Sequence, residues 1–186
     1  MKKREKSQYR NIAYSAIIVA LAVTLGYALA AVPNVELVTF TLALGGALLG
    51  PGRGAAVGAM GFGLYSALSP YGIAPPPVYI AQLIGGAAIG LMGGVLTEYI
   101  AKKPRGIRAV LSGMTGAGLA FIYDLLTNLG SFFAVGADRA FLPFIIGGIG
   151  FSLVHIGANA LIFALLLPLF FRIFDIAGKS PQESSE

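Results

Sequence analysis

The stretch "VPNVELVTF", residues 32–40, sets Pro33, Asn34 and Glu36 directly after one hydrophobic segment and directly before another. It divides residues 11–31 from residues 35–50, and so sets the count of apolar segments at the start of the chain. It also puts a carboxylate where an apolar run begins. Two roles for Glu36 are compatible: capping the helix that follows, because a negative charge suits a helix N-terminus, and contacting a ligand.

The surrounding composition is that of a bilayer protein. Of 186 residues 56% are hydrophobic and 11% charged, and the mean hydropathy is +0.80, outside the balance of soluble globular domains. The 26 glycines are about twice the average share, which suits membrane helices whose backbones pack closely. No cysteine is present and there is one histidine, so a disulfide frame and a thiolate metal site are excluded and no metal or cofactor is expected. A net charge of +5 does not point to nucleic acid, because the bases fall in short groups between apolar runs, a pattern that reports topology.

Six segments approach the length of about 20 residues that a transmembrane helix needs: 11–31, 35–50, 54–69, 77–99, 108–134 and 142–172. The second and third are short, and "GPGRG" at 50–54 reads as a tight turn carrying Arg53. The sixth is long, with Gly147, Gly148 and Gly150 placed to begin, bend or delay it. With the N-terminus in the cytoplasm, Arg139 is the one base of 13 that falls outside. This asymmetry predicts an all-α polytopic membrane protein of six transmembrane helices, with both termini cytoplasmic. The expected organisation is a basic N-terminus (1–10), a membrane domain (11–174) and a polar, disordered cytoplasmic tail (175–186). A cleaved signal peptide is the rival reading of "MKKREK" and "ALA" at 28–30, but the apolar run from Ile12 to Ala31 exceeds the usual 7–15 residues or so of such a segment.

An ionisable group at the bilayer centre costs roughly 2.5–3.5 kcal/mol on insertion scales, so each must be paired or face a cavity. The topology places Glu36 and Gln82 near the outer surface, and Asp124, Asn128, His155 and Asn159 in the outer half or near the middle. At about 100° per residue, Asp124, Thr127, Asn128 and Ser131 share one arc of the fifth helix, and Ser152, His155 and Asn159 share one arc of the sixth. These two faces are expected to meet. Tyr79 and Gln82 share a stripe of the fourth helix with Gly86, Gly90 and Gly93, so its outer half is suited to binding and its inner half to packing. Bland alternatives stand beside each reading: Asp124 with His155 as a buried structural pair, Asn128 and Asn159 as interhelical hydrogen-bond glue, and the glycines as packing.

The G-x-x-x-x-G-K-[ST] phosphate loop is missing, since "GPGRGAAVG" lacks the lysine and hydroxyl, and H-E-x-x-H is missing too. Ser131 and Ser152 lack a G-x-S-x-G setting. The chain is therefore not expected to be an enzyme, or to power itself with ATP.

These features resemble the substrate-binding S-component of energy-coupling factor vitamin transporters: six helices, a basic N-terminus, Ala16-x-x-x-Ala20 in the first helix, and polar residues gathered toward the outside. "YSAIIVALAV", "PNVELVTFTLALGGALLGPGRGAAVGA", "YSALSPYGIAPPPVYIAQLIGGAAIGLMGG" and "FSLVHIGANALIFALLLP" carry the likeness. The resemblance implies a multi-pass protein of a prokaryotic cell membrane that captures a vitamin or related micronutrient outside. It implies "AAVPNVE" as the gating loop with Asn34 and Glu36 in the lid or its hinge, and a site drawn from Tyr79, Gln82, Asp124, Asn128, His155 and Asn159. Ala16 and Ala20 would dock a transmembrane coupling protein served by two cytoplasmic ATPases, and the whole S-component would tip in the membrane to release its cargo.

Two other classes fit the same residues. One is a solitary proton- or sodium-coupled carrier that titrates Asp124 and His155; the other is a structural membrane subunit without a ligand. Phe40, Tyr65, Tyr71, Tyr79 and Tyr123 are available to stack on a ring, and the carboxylates favour donor-rich or cationic groups. A pyrimidine, a thiazole, a flavin and a corrinoid precursor all remain compatible.

Overall fold

The computed structural model describes the backbone of residues 2–136 and 141–176, and the side chains of 8–136 and 146–173. Arg139 and the tail from 177 onward lie outside the described residues, as do the side chains of Lys2, Lys3, Arg4 and Lys6. The described chain is helical without strands. It comprises α1 (Lys2–Ala28), α2 (Val38–Leu49), α3 (Pro51–Ala67), α4 (Pro76–Ala101), α5 (Arg105–Val135) and α6 (Phe141–Ile176). Four of them contain stretches long and apolar enough to cross a membrane, within α1, α4, α5 and α6, which marks the chain as a membrane protein. Its outward faces agree: Ile17 and Leu21 on α1, Phe121 and Leu125 on α5, and Leu161 and Leu165 on α6 are all exposed, an apolar exterior that water would not favour.

Local chemistry sets the helix ends. After α1, the Val35 N–H donates to the Val32 carbonyl at 3.3 Å, with Pro33 at the second position of that turn and Asn34 at φ +60° at the third. A turn of this form needs a left-handed third residue, a place for glycine or asparagine. The α2–α3 corner is tighter than the expected five-residue turn. Gly50 alone forms it, at φ +83°, a region that disfavours any residue with a Cβ. Pro51 then occupies the first helical position, where its missing N–H costs nothing, so Arg53 belongs to the first turn of α3. At the α4–α5 corner Arg108 donates from Nε to the Lys103 carbonyl (2.9 Å) and from its guanidinium to the Ala101 carbonyl (2.7 Å), satisfying acceptors at the end of α4. In α6, Gly147, Gly148 and Gly150 neither begin nor delay the helix, which already runs from Phe141.

The 12 residues of α2 reach only about 18 Å at 1.5 Å per residue. The helix is also nearly enclosed by protein: Val38 and Leu42 are fully buried, and Phe40 meets Phe163 of α6 edge to face, with centroids 5.0 Å apart. A short helix at membrane depth is tolerated because its ends are shielded by protein instead of facing lipid.

Bare backbone makes this enclosure possible. A Cβ at Gly58 would strike the Gly86 carbonyl, one at Gly90 the Gly54 carbonyl, and one at Gly46 the Gly90 carbonyl. Thus α3 runs antiparallel to α4 with backbones in contact, and α2 lies against both. Close approach of this kind needs residues without side chains. Gly118 on α5 has open space around it. Gly90→Ala is therefore expected to lower the thermal stability of the detergent-solubilised protein by about 1–3 kcal/mol. Gly118→Ala should leave it unchanged or raise it by up to about 1 kcal/mol.

Candidate functional site

Consecutive helices alternate in direction, because their contacts run in opposite order: Gly26 with Val38 and Ile18 with Gly45, Leu42 with Gly61 and Gly46 with Gly54, Gly54 with Gly90 and Gly58 with Gly86, Val78 with Gly130 and Gly85 with Tyr123, Gly113 with Ala164 and Gly116 with Asn159. One end of the bundle therefore gathers the ends of α1, α3 and α5 and the starts of α2, α4 and α6. Among the described side chains, every lysine and arginine lies at the other end: Arg10, Arg53, the group from Lys102 to Arg108, and Arg172. The polar cluster belongs to the first half.

At its centre His155 lies between two carboxylates. Nδ1 is 2.8 Å from Asp124 Oδ1, and Nε2 is 3.3 Å from Glu36 Oε1. The same Glu36 oxygen accepts from Asn159 Nδ2 at 3.3 Å, while Oε2 accepts from the Thr39 N–H at 2.9 Å. Glu36 thus caps α2 with one oxygen, from the position before Leu37, and reaches α6 with the other. The two roles read from the sequence are filled by different atoms of one carboxylate.

Glu36 lies at the level of His155, well along α6. α6 begins at Phe141, and His155 lies fourteen positions further, about 21 Å along the helix axis. Glu36 reaches that level because α2 is short and the link before it turns inward at Pro33 and Asn34.

Proton bookkeeping defines what this triad can do. A neutral imidazole has one N–H and one lone pair, so it cannot donate to two carboxylates. Both contacts become hydrogen bonds when the ring is an imidazolium, and the group then carries one net negative charge. Alternatively one carboxyl holds the proton. His155 uses both ring nitrogens between the acids, so the three do not converge as ligands on one ion, and the described residues hold no metal-ligand group of three.

Other predicted residues sit around this centre. Asn128 donates to Ser152 Oγ at 3.3 Å, joining α5 to α6 nearer the polar end, as interhelical glue. The Tyr79 hydroxyl donates to the Gly63 carbonyl at 3.3 Å, which fixes α4 to the end of α3, apart from the triad. Asn34 shapes the link through its left-handed backbone. Gln82 lines a separate cavity of about 160 Å³, walled by Tyr27, Tyr65, Tyr71, Ser66 and Ser69. Phe62 stacks on Tyr123 (4.4 Å) and meets Tyr65 edge to face (6.5 Å), and Tyr123 meets His155 edge to face (6.1 Å). One aromatic layer therefore separates the cavity from the triad.

Sequence reasoning missed Tyr27, whose hydroxyl donates to the Tyr65 carbonyl, and Thr39, which is fully buried. Neither carried a signal, since a tyrosine at the end of an apolar helix and a threonine within one are ordinary there. Ala16 and Ala20 are exposed on α1, away from the cluster.

No protein-family model matches the chain, and no similar curated protein or solved structure is found.

Removing one member of the triad strands the others. His155→Ala leaves two largely enclosed carboxylates without their shared partner, and should reduce stability by roughly 3–5 kcal/mol. The double variant His155→Ala/Asp124→Asn should lose less than the sum of the two single changes, by about 0.5–3 kcal/mol. Melting curves of the three variants in one detergent measure both effects.

Proposed function

We propose that the chain is the substrate-binding subunit of an energy-coupling factor type transporter, capturing a small micronutrient-like molecule outside the cell. In this reading all six helices form the membrane domain, and the basic end, with both termini, is cytoplasmic. The observation that carries the reading is the bond from the α1–α2 link, through Glu36, to His155 and Asp124 on α6 and α5. A connection between two helices is thereby tied to a buried polar centre at the end opposite the basic residues, which is what a ligand-closed lid requires.

Import then needs an energy source from outside the chain, because no phosphate-binding loop is present. A transmembrane coupling protein with two cytoplasmic ATPases would supply it, docking on the exposed small-residue face at Ala16 and Ala20. No catalytic step and no cofactor are involved.

The imidazole held between two acids favours one second reading, a solitary proton- or sodium-coupled carrier. Uptake of a micronutrient by cells expressing this chain without any coupling module would establish it over the first.

Docking is tested by replacing Ala16 or Ala20 with Trp. Copurification with the coupling protein should be lost, while the melting temperature of the isolated subunit stays within a degree or two, because both positions are exposed. Normal assembly of both variants would remove the docking surface from the proposal.

The lid is tested with Asn34→Cys, in a chain that has no other cysteine. Its labelling by a membrane-impermeant thiol reagent on intact cells should slow several-fold when the transported compound is present. Labelling from the cytoplasmic side only would overturn the orientation.

A further inference from the structure

Two observations in the basic half of the bundle point to one kind of molecule. The first is a cleft of about 260 Å³ between α4 and α5, larger than the tyrosine-lined cavity and apart from the polar cluster. Met92 and Tyr99 of α4 and Leu111, Met114, Gly118 and Ile122 of α5 wall it. The Thr115 hydroxyl, also on the wall, already donates to the Leu111 carbonyl at 2.9 Å. Apart from Tyr99, the side chains of the cleft therefore offer a guest apolar contact only.

Its shape suits an alkyl chain. From Leu111 to Ile122 the cleft follows eleven positions of α5, about 16 Å along the helix axis. Gly118 has open space where a Cβ would stand, which deepens the cleft along its length, and methionine walls adapt to an irregular guest. The volume equals about nine waters at roughly 30 Å³ each, and a methylene group occupies slightly less than a water. A helix, about 10–12 Å across, is too wide to enter.

The second observation is the charge at the mouth. Between Glu98 and Arg108, where α4 turns into α5, four bases stand against one acid. Lys102 pairs with Glu98 at 2.6 Å, and Arg108 holds the Lys103 and Ala101 carbonyls. Lys103 Nζ lies 4.0 Å above the ring of Tyr99, the same tyrosine that lines the cleft. An ammonium on an aromatic face keeps N–H donors for an anion. Arg105, two residues further on, is exposed. Tyrosine and lysine at the end of a membrane helix mark the level of the lipid headgroups.

We infer that the α4–α5 cleft is a specific site for one anionic phospholipid, with an acyl chain laid along Gly118 and the phosphate held by Lys103 and Arg105. A zwitterionic lipid brings a cationic group that meets these bases with like charge. A water-soluble phosphate lacks the chain that fills the cleft. The inference rests on the bilayer environment and not on the transporter reading, and it holds for either orientation of the basic end.

Dioleoylphosphatidylglycerol, dioleoylphosphatidylcholine and glycerol 3-phosphate separate chain from charge, because the first two share their acyl chains and the first and third share an anionic glycerol phosphate. Each is titrated against the purified full-length protein in a nonionic detergent. Native mass spectrometry counts bound molecules, and the melting temperature reports binding to the folded state. One phosphatidylglycerol per chain should bind at least about tenfold more tightly than phosphatidylcholine, since each base near an anionic headgroup contributes roughly a factor of five. Glycerol 3-phosphate should produce no shift. Gly118→Leu fills the cleft with a residue that helices favour, so the lipid-free variant should melt at the same temperature or higher and lose most of the phosphatidylglycerol shift. Lys103→Gln/Arg105→Gln should bind both lipids weakly and prefer neither by more than about twofold.

Equal affinity for the two lipids, a headgroup preference that survives Lys103→Gln/Arg105→Gln, or a phosphatidylglycerol shift that survives Gly118→Leu would each overturn the inference. So would a shift with glycerol 3-phosphate equal to that with phosphatidylglycerol, or no shift with either lipid. A two-chain mass in detergent that Gly118→Leu reduces to one would also overturn it, and would give the cleft to a second copy of the chain. None of these results bears on assembly with a coupling module, so the two readings fail separately.

Discussion

Everything at the polar end follows from the cost of burying Glu36. A carboxylate taken out of water loses several kcal/mol of solvation unless donors surround it, and this one meets three: the Thr39 N–H, His155 and Asn159. Those donors come from the start of α2 and the middle of α6, more than a hundred residues apart in the chain. Satisfying one side chain therefore draws the α1–α2 link down into the bundle and sets α2 against α6. The cost is met unevenly, since Asp124 keeps one buried oxygen without a partner.

Glycine provides the room. Because α3 and α4 touch backbone to backbone at Gly54, Gly58, Gly86 and Gly90, they form a thin paired layer, and α2 lies on it at Gly46. A side chain at any of these contacts would push the layer outward and lift α2, and with it Glu36, from the level of His155. The glycine-bearing part of α4 is thus a spacer, while its first turns carry Gln82 to the tyrosine-lined cavity. The two halves of one glycine stripe do different work because α3 ends near Ala67, leaving the first turns of α4 facing the cavity.

Much of the fold was legible in the chain's one-dimensional pattern. Apolar segments broken by proline, glycine and basic groups gave six helices, and the short second and third segments were visible as such. The boundaries shifted where local chemistry overrode hydropathy: Pro51 started α3 at once, so the expected turn shrank to Gly50. In the site, the pairing of Asp124 with His155 was legible from matched helical arcs. Tyr79 and Asn128 lay on the right faces, yet they bond to Gly63 and Ser152 instead of joining the triad.

The sequence alone determined the class of environment and the helix count, because transfer of apolar side chains from water and the spacing of turn residues are local properties that composition and order already contain. It also determined which helix faces are polar. The tertiary structure decided the depth of Glu36, the division of its two oxygens between Thr39 and α6, the aromatic layer between cavity and triad, and which acceptors remain unpaired. Those features depend on distances between residues far apart in the chain, and a distance across a bundle is set by how closely neighbouring backbones pack, which no single segment encodes.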